Sequence, residues 1–123
     1  MRVLIVDDNE DTRETIAAIL RFEDYDVITA ADGHAALKIA KVQPPDIALL
    51  DLGLPGMDGF ELARLLRQQL AGRALYIAAL TGYGTAADKE CTAAAGFDAH
   101  LTKPTHPFTI IQLLEDFESR LQR

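Results

Sequence analysis

Side chains with carboxylate, hydroxyl and ammonium groups stand at the ends of four separate apolar runs in this sequence. The first run is followed by Asp7 and Asp8, and the third is closed by Asp51. Thr81 follows the fourth run and Lys103 follows the fifth. Carboxylate oxygens are the hard ligands that Mg²⁺ or Mn²⁺ prefers, while an ammonium and a hydroxyl can bind phosphoryl oxygens. Brought together, these groups would form a divalent-cation site beside a phosphoryl-binding site.

Asp51 is the candidate nucleophile of this set. It closes the continuous apolar run of residues 47–50, which is typical of a strand buried on both faces of a parallel sheet. A charge at the edge of such a strand is costly unless water, a partner or a metal meets it. The Gly- and Pro-rich turn that follows lets the backbone bend around whatever Asp51 holds. The simpler interpretation is a carboxylate that caps the loop.

A bound cation would decide how the Asp51 carboxylate reacts. Clustered carboxylates repel one another, so the pKa of at least one of them should rise when no cation is bound. A cation would also neutralise a phosphoryl group that arrives at an acidic site. The carboxylate of Asp51 would then act as the nucleophile and form an aspartyl phosphate.

Five apolar runs alternate with five helical patterns along the whole chain. Strands are predicted at residues 3–6, 27–30, 47–50, 75–80 and 99–101. Alternation at these lengths predicts an α/β fold of the (βα)5 type, a doubly wound five-stranded parallel sheet with helices on both faces. Right-handed crossovers place the carboxyl ends of all strands at one edge, which is where open α/β sheets bind ligands. The candidate side chains therefore converge on one crevice in this prediction.

Polar residues mark the positions where several helices should begin. Asp8 or Asn9 suits the N-cap of the first helix. Asp58 suits the N-cap of the third, with Glu61 as the partner of a capping box. A capping pair of the same kind precedes the fourth helix, at Thr85 and Asp88.

The composition is that of a single globular domain. The chain has 123 residues, of which 49% are hydrophobic and 25% charged, so it is long enough to bury a core. Its formal net charge of −7 disfavours direct binding to nucleic acid or to an anionic membrane. No apolar run is long enough to cross a bilayer, and no signal peptide is visible. Cys91 is the only cysteine, so no internal disulfide or thiol metal site is expected, and these features together favour the cytoplasm.

Four motifs resemble those of two-component response-regulator receiver domains, and the resemblance covers essentially the whole chain. They are Val6-Asp7-Asp8, the stretch from Asp51 to Gly59, Ala79-Leu80-Thr81-Gly82 and Leu101-Thr102-Lys103-Pro104. The resemblance implies the flavodoxin-like fold of chemotaxis regulators, with strand order 2-1-3-4-5. It also implies that residues 1–123 form a single receiver domain, with no effector or DNA-binding domain in this chain. Such a domain is a signalling module that assists only its own phosphorylation and dephosphorylation, and is not an enzyme.

The resemblance implies a role for each acid of the candidate site. Asp51 would accept a phosphoryl group from a phosphohistidine on a sensor histidine kinase or a histidine phosphotransfer domain. Asp8 and Asp51 would bind Mg²⁺ directly, and Asp7 would bind it through water. The backbone carbonyl of Gly53 would complete the protein ligands.

The resemblance also implies how phosphorylation is transmitted. Thr81 and Lys103 would contact the phosphoryl oxygens, and the bond between Lys103 and Pro104 would be cis. In this family the threonine position is coupled to an aromatic residue three positions before the lysine, which here is His100. Either His100 takes the place of that aromatic and turns inward when Thr81 moves, or it is an exposed residue with no switching role. The surface expected to change comprises the fourth helix, the fifth strand and the fifth helix.

Three further positions vary within the family. Gly53 and Tyr83 occupy positions that tune the lifetime of the phosphate. Thr105 follows the Lys-Pro pair, where many DNA-binding regulators have an aromatic residue. This chain is therefore more similar to receivers of hybrid histidine kinases or to stand-alone receivers, and its downstream protein partner is not identified by the sequence.

Four other interpretations compete with a phosphorylation switch. A constitutive interaction module and a pure phosphate relay or sink would use the same fold, and His100 leaves the first of these open. Residues 82–87 fit a loose G-x-G-x-x-A pattern, but a dinucleotide-binding fold carries it after the first strand rather than the fourth. A haloacid-dehalogenase-like phosphatase would need a second Asp two residues after its nucleophile, where this chain has Gly53.

Overall fold

Five strands and five helices alternate along the chain, as the hydrophobic pattern predicts. A computed structural model describes residues 1–82 and 86–121, with the backbone alone for residues 86–88. The strands are β1 Arg2–Val6, β2 Asp26–Ala30, β3 Ile47–Asp51, β4 Tyr76–Thr81 and β5 Ala99–Thr102. The helices are α1 Glu10–Phe22, α2 Gly33–Val42, α3 Gly59–Gln69, α4 Ala86–Ala94 and α5 Pro107–Leu121. Within the described ranges, no helix has both the length and the apolar character needed to span a membrane.

The five strands form one parallel sheet in the order β2-β1-β3-β4-β5. This confirms the predicted doubly wound architecture and its strand order. The strand order reverses direction at β1 and β3, so a crevice opens between the loops that follow these two strands. Asp7 and Asp8 lie at the end of β1, and Asp51 is the last residue of β3.

The sheet is covered by helices on both faces, and each face has its own hydrophobic core. Strand residues alternate between the two cores, since successive side chains of a strand point to opposite faces. One core holds the inward residues of α1 and α5, which are Ile16, Ala17, Leu20, Ile110, Leu114 and Phe117. The other holds those of α2 and α3, which are Ala36, Ala40, Leu62, Ala63, Leu66 and the adjacent Leu70. Because the central strands are buried on both faces, their sequences are continuous apolar runs.

Polar side chains cap the N-termini of α1, α2 and α3. Asn9 rather than Asp8 caps α1, because its side chain accepts a hydrogen bond from the backbone N–H of Thr12. Asp58 caps α3 as predicted, through the N–H of Glu61. The reciprocal half of the predicted capping box is wrong, since the Glu61 carboxylate pairs with Arg64 instead, at 2.6 Å. The capping pair predicted at Thr85 and Asp88 lies outside the described residues.

The register of the central strands positions the candidate site. Val6 of β1 pairs with Leu50 of β3, so the residues that follow them, Asp7 and Asp51, come side by side. Asp7 continues the alternation of β1 and Asp51 that of β3, and both are therefore on the same face of the sheet. A shift of one residue in this pairing would send the two carboxylates to opposite faces.

The buried ring of Phe117 on α5 should contribute strongly to stability. It is 1% exposed and stacks on Tyr76 of β4, with 4.5 Å between the ring centroids. We expect Phe117→Ala to lower the free energy of unfolding by about 3–5 kcal/mol, because it leaves a cavity in the α1–α5 core. The measurement is urea unfolding followed by circular dichroism.

The matched control is Phe22→Ala at the end of α1, where the ring is 86% exposed. The same atoms are removed there without a cavity, so the free energy of unfolding should change by less than about 0.5 kcal/mol. Equal losses at the two positions would contradict the assignment of Phe117 to the core.

Candidate functional site

Three carboxylates meet at the carboxyl edge of the sheet. Asp7, Asp8 and Asp51 each offer an oxygen that lies within 4.8 Å of the oxygens of the other two. Asp7 and Asp51 are buried, whereas Asp8 is exposed. These oxygens fit Mg²⁺, which prefers carboxylates and keeps several waters, because the exposed side of the cluster is open to solvent. The structure thus brings together the three acids that the sequence predicts at a metal site.

Three hydrogen bonds hold the side chain and the carbonyl of Asp7, and its backbone N–H donates a further one to the carbonyl of Ala30 at 3.2 Å. Its Oδ2 accepts a hydrogen bond from Nζ of Lys103 at 2.8 Å, and its Oδ1 accepts one from the backbone N–H of Asn9 at 2.9 Å. Its backbone carbonyl oxygen accepts a third from Nη1 of Arg13, also at 2.9 Å. A buried carboxylate needs such partners, since its charge has lost most of its hydration.

Lys103 supplies the positive charge that balances the two buried acids. Its Nζ lies 2.8 Å from Oδ2 of Asp7 and 3.4 Å from Oδ2 of Asp51. Burial lowers the pKa of Lys103, but the hydrogen bonds and charges of the two acids raise it and prevail, so the net shift is upward. The backbone also fixes this residue, because its N–H donates to the carbonyl of Thr81 at 2.7 Å and its bond to Pro104 is cis, as predicted.

The surroundings of Asp51 disfavour the charged form of its carboxyl group. Burial raises the pKa of its carboxyl, and the nearby charge of Asp7 adds to this rise. The N–H of Gly53, which donates to Oδ1 at 3.0 Å, and the charge of Lys103 only partly offset it. The predicted upward pKa shift within the cluster is confirmed, although desolvation rather than repulsion between the acids is its largest cause.

A pocket lies beside Asp51. Its volume is about 270 Å³, and its lining is formed by Asp51, Leu52, Gly53, Phe60, Thr81, Gly82 and Cys91. The buried Thr81 and the Asp51 carboxylate thus share one cavity. Gly53 leaves space beside the carboxylate, because a Cβ at this position would already be in van der Waals contact with Oδ1 of Asp51, at 3.7 Å. The predicted contribution of Tyr83 lies outside the described residues.

Gly59 allows α3 to begin directly against the end of β3. A Cβ on Gly59 would come within 2.8 Å of Cα of Leu52 and 2.9 Å of the carbonyl oxygen of Asp51. Both neighbours are backbone atoms, so a larger residue would push the loop that carries Asp51. The turn between them contains Gly56 with a φ of +79°, a conformation that L side chains rarely adopt.

The ring of His100 in β5 makes a side-chain contact with α4. The ring is half-buried, so its description as an exposed residue is wrong, and its Nδ1 lies 3.1 Å from Oγ1 of Thr92. The hydroxyl of Thr92 donates its single proton to the carbonyl of Lys89, at 2.9 Å. A part of His100 in switching stays a prediction.

Sequence reasoning missed several residues around the site. Arg13, which binds the carbonyl of Asp7, and Thr92, which binds His100, belong to this group. Phe60 and Cys91 line the pocket beside Asp51. Of these residues, only Arg13 could have been found from the sequence, because it lies one turn after the N-cap of the helix that follows Asp7 and Asp8. The other contacts depend on how α3 and α4 pack.

The sequence matches a model of the response regulator receiver domain over residues 3–115. It is 34% identical over 117 residues to an uncharacterized 14.6 kDa protein of Leptolyngbya boryana, covering 95% of this chain and 89% of that one. It is 39% identical over 107 residues to the alkaline phosphatase synthesis transcriptional regulatory protein PhoP of Bacillus subtilis, covering 86% of this chain and 43% of PhoP. The chain spans about half the length of this and other regulatory relatives.

Solved structures agree with the family match. The chemotaxis protein CheY4 of Vibrio cholerae superposes with a TM-score of 0.85 at 32% identity, covering 94% of this chain and 97% of CheY4. A CheY-like receiver domain protein from Methanospirillum hungatei superposes with a TM-score of 0.86 at 30% identity, covering 98% and 96%. With the parallel sheet in the order 2-1-3-4-5 and the acids gathered at its carboxyl edge, the chain belongs to the response regulator receiver domain family.

Proposed function

We propose that the chain is a phosphoacceptor switch in which Asp51 receives a phosphoryl group from a phosphohistidine. The observation that carries this proposal is the environment of the Asp51 carboxylate. It lies close to Asp7, Asp8 and the Nζ of Lys103, and Asp51 also lines a pocket that contains Thr81. A nucleophile, a cation site and two groups that bind phosphoryl oxygens thus share one crevice.

Four groups would hold Mg²⁺ in this proposal. Asp8 and Asp51 would bind it directly, Asp7 would bind it through water, and the backbone carbonyl of Gly53 would complete the set. Mn²⁺ has similar ligand preferences and is the alternative cation. When bound, the cation would neutralise charge on the phosphoryl group and on the acids, which otherwise oppose its arrival.

The protein residues would perform the remaining steps of the transfer. One oxygen of Asp51 forms the new O–P bond while the P–N bond of the phosphohistidine breaks, and the electron pair of that bond leaves with the imidazole. Lys103 would move its ammonium from the acids to a phosphoryl oxygen, and it remains protonated because its pKa is raised. The hydroxyl of Thr81 would donate to another phosphoryl oxygen.

Phosphorylation would shift an existing equilibrium between two surfaces made by α4, β5 and α5. To move such an equilibrium from 1:99 to 99:1, the phosphoryl group must favour the second state by about 5.5 kcal/mol. Movement of Thr81 toward the phosphate would be felt at β5, since Thr81 pairs with Thr102. His100 is the next link in this proposal, because its ring connects β5 to Thr92 of α4.

The phosphodonor would be a sensor histidine kinase or a histidine phosphotransfer domain, as in two-component signalling. The output partner is a protein whose identity the chain does not reveal, and residues 1–123 would act as one receiver domain in the cytoplasm. A relay or sink for phosphate is the second candidate function. It is favoured by the open approach to Asp51 beside Gly53, which leaves the phosphoryl group accessible to a second acceptor.

The first test is phosphorylation with a small-molecule donor. We expect acetyl phosphate with Mg²⁺ to add one phosphoryl group to the wild type, read as a mass increase, and to add none to Asp51→Asn. Removal of Mg²⁺ with EDTA should abolish the reaction. The matched control is Asp58→Asn, which makes the same change from carboxylate to amide at the N-cap of α3 and keeps an efficient cap. Absence of wild-type phosphorylation would sink the proposal.

The same samples separate a switch from a relay. A switch should shift backbone amide resonances throughout α4, β5 and α5 when beryllofluoride and Mg²⁺ are added. Phosphorylation with shifts confined to the site would favour the relay, and neither phosphorylation nor shifts would favour a constitutive interaction module.

The second test removes the charge at Lys103. We expect Lys103→Ala to keep the fold but to slow phosphorylation by about 100-fold, because one preorganised donor to the phosphoryl oxygens is lost. Lys38→Ala, which removes an exposed lysine from α2, should leave the rate unchanged. Equal rates in the two variants would remove Lys103 from the mechanism.

The third test addresses the link through α4. Thr92→Val removes a buried hydroxyl but keeps the shape of the side chain, so His100 loses its hydrogen bond to Thr92 of α4. We expect the rate of phosphorylation to stay within about 2-fold while the beryllofluoride-induced amide shifts of α4 are reduced. Thr109→Val, at an exposed position of α5, is the control. Wild-type shifts in Thr92→Val would show that the signal does not pass through this contact.

A further inference from the structure

Arg13 of α1 contacts the peptide that joins the two acids at the end of β1. Its Nη1 donates a hydrogen bond to the backbone carbonyl oxygen of Asp7 at 2.9 Å. The Arg13 side chain is only 14% exposed, so the guanidinium is held against the loop rather than free in solvent. Its Nε lies 3.4 Å from Oε1 of Glu14, which also restricts its orientation.

That peptide determines where the carboxylate of Asp8 is presented. The side chain of Asp7 is fixed independently, by Lys103 and by the N–H of Asn9. Asp8 is exposed, so packing does little to orient its carboxylate, and the direction of its Cα–Cβ bond follows the plane of the preceding peptide. A hydrogen bond to the Asp7 carbonyl resists rotation of that plane.

We propose that Arg13 is a positioning residue for the cation site, and that it acts by holding the Asp7–Asp8 peptide so that Asp8 faces Asp51. This inference rests on the proposed function, since it assumes that Asp8 and Asp51 bind Mg²⁺. Arg13 itself touches neither cation nor phosphoryl group in this account. Residues that orient metal ligands typically contribute about 10–100-fold to metal affinity.

Because Arg13 is positively charged, the inference can be tested by whether its replacement tightens or weakens Mg²⁺ binding. A guanidinium beside three acids repels an incoming cation, so electrostatics alone predicts that its removal tightens Mg²⁺ binding. Loss of a positioning contact predicts the opposite, because Asp8 would sample orientations that do not face Asp51. The two accounts therefore differ in sign as well as in magnitude.

The experiment is calorimetric titration of the full chain with MgCl₂. We expect Arg13→Met, which keeps the aliphatic stem but loses the charge and the donor, to raise the Kd for Mg²⁺ about 10-fold. Arg13→Lys, which retains a charged donor, should restore most of the affinity. Arg21→Met is the matched control, because Arg21 lies on the same helix and also donates to a strand carbonyl, that of Val27, but at the opposite edge of the sheet.

Kinetics provide a second readout. With acetyl phosphate as donor, the slower phosphorylation of Arg13→Met should recover at saturating MgCl₂, since the residue acts on cation binding and not on transfer. Wild-type or tighter Mg²⁺ binding in Arg13→Met would overturn the inference, and so would an equal loss in Arg21→Met. Should Arg13→Met fail to fold, Arg13→Leu, which also lacks a donor, is judged by the same two outcomes.

Failure of this inference can be distinguished from failure of the proposed function. If the wild type binds Mg²⁺ and is phosphorylated while Arg13→Met binds Mg²⁺ equally well, only the inference is overturned. If the wild type binds no Mg²⁺, the cation site of the proposed function is overturned, and the positioning role of Arg13 is overturned with it.

Discussion

The structure depends on keeping two buried carboxylates side by side at the end of a parallel sheet. Asp7 and Asp51 are adjacent because β1 and β3 pair in a register that matches Val6 with Leu50. Two such charges cannot share an apolar environment without compensation. The ammonium of Lys103, brought from the other end of the chain, lies 2.8 Å from one and 3.4 Å from the other. The sheet, its crossovers and the loop after β5 together make this arrangement persist.

The positive charge of Lys103 compensates the two buried carboxylates only in part. Burial keeps the pKa of Asp51 raised in spite of Lys103 and the N–H of Gly53. In the proposed function, a divalent cation would supply the missing positive charge, and a phosphoryl group would approach the same carboxylate through the pocket that Thr81 also lines. Stability and function are therefore opposed at Asp51, as is usual where a reactive group is held in a low-dielectric environment.

Two further side-chain contacts link the sheet to its helices. A histidine stands three positions before Lys103, and its ring is bonded to a buried threonine of α4 that is 2% exposed. An arginine of α1 binds the carbonyl of the first acid of the site. The histidine thereby connects β5 to α4, and the arginine connects the end of β1 to α1.

The sequence by itself determined the class of fold, the position of the strands and the chemistry available at their ends. These properties are local, because apolar alternation, capping residues and Gly-Pro turns act over a few neighbours. Asp58 was recognisable as an N-cap for that reason. Only the tertiary structure decided which partners those groups meet: Glu61 pairs with Arg64 and not with its cap, His100 is half-buried against Thr92, and Arg13 binds the Asp7 carbonyl. Such pairings depend on strand register and helix packing, which sum many weak contacts between distant residues and leave no short pattern in the sequence.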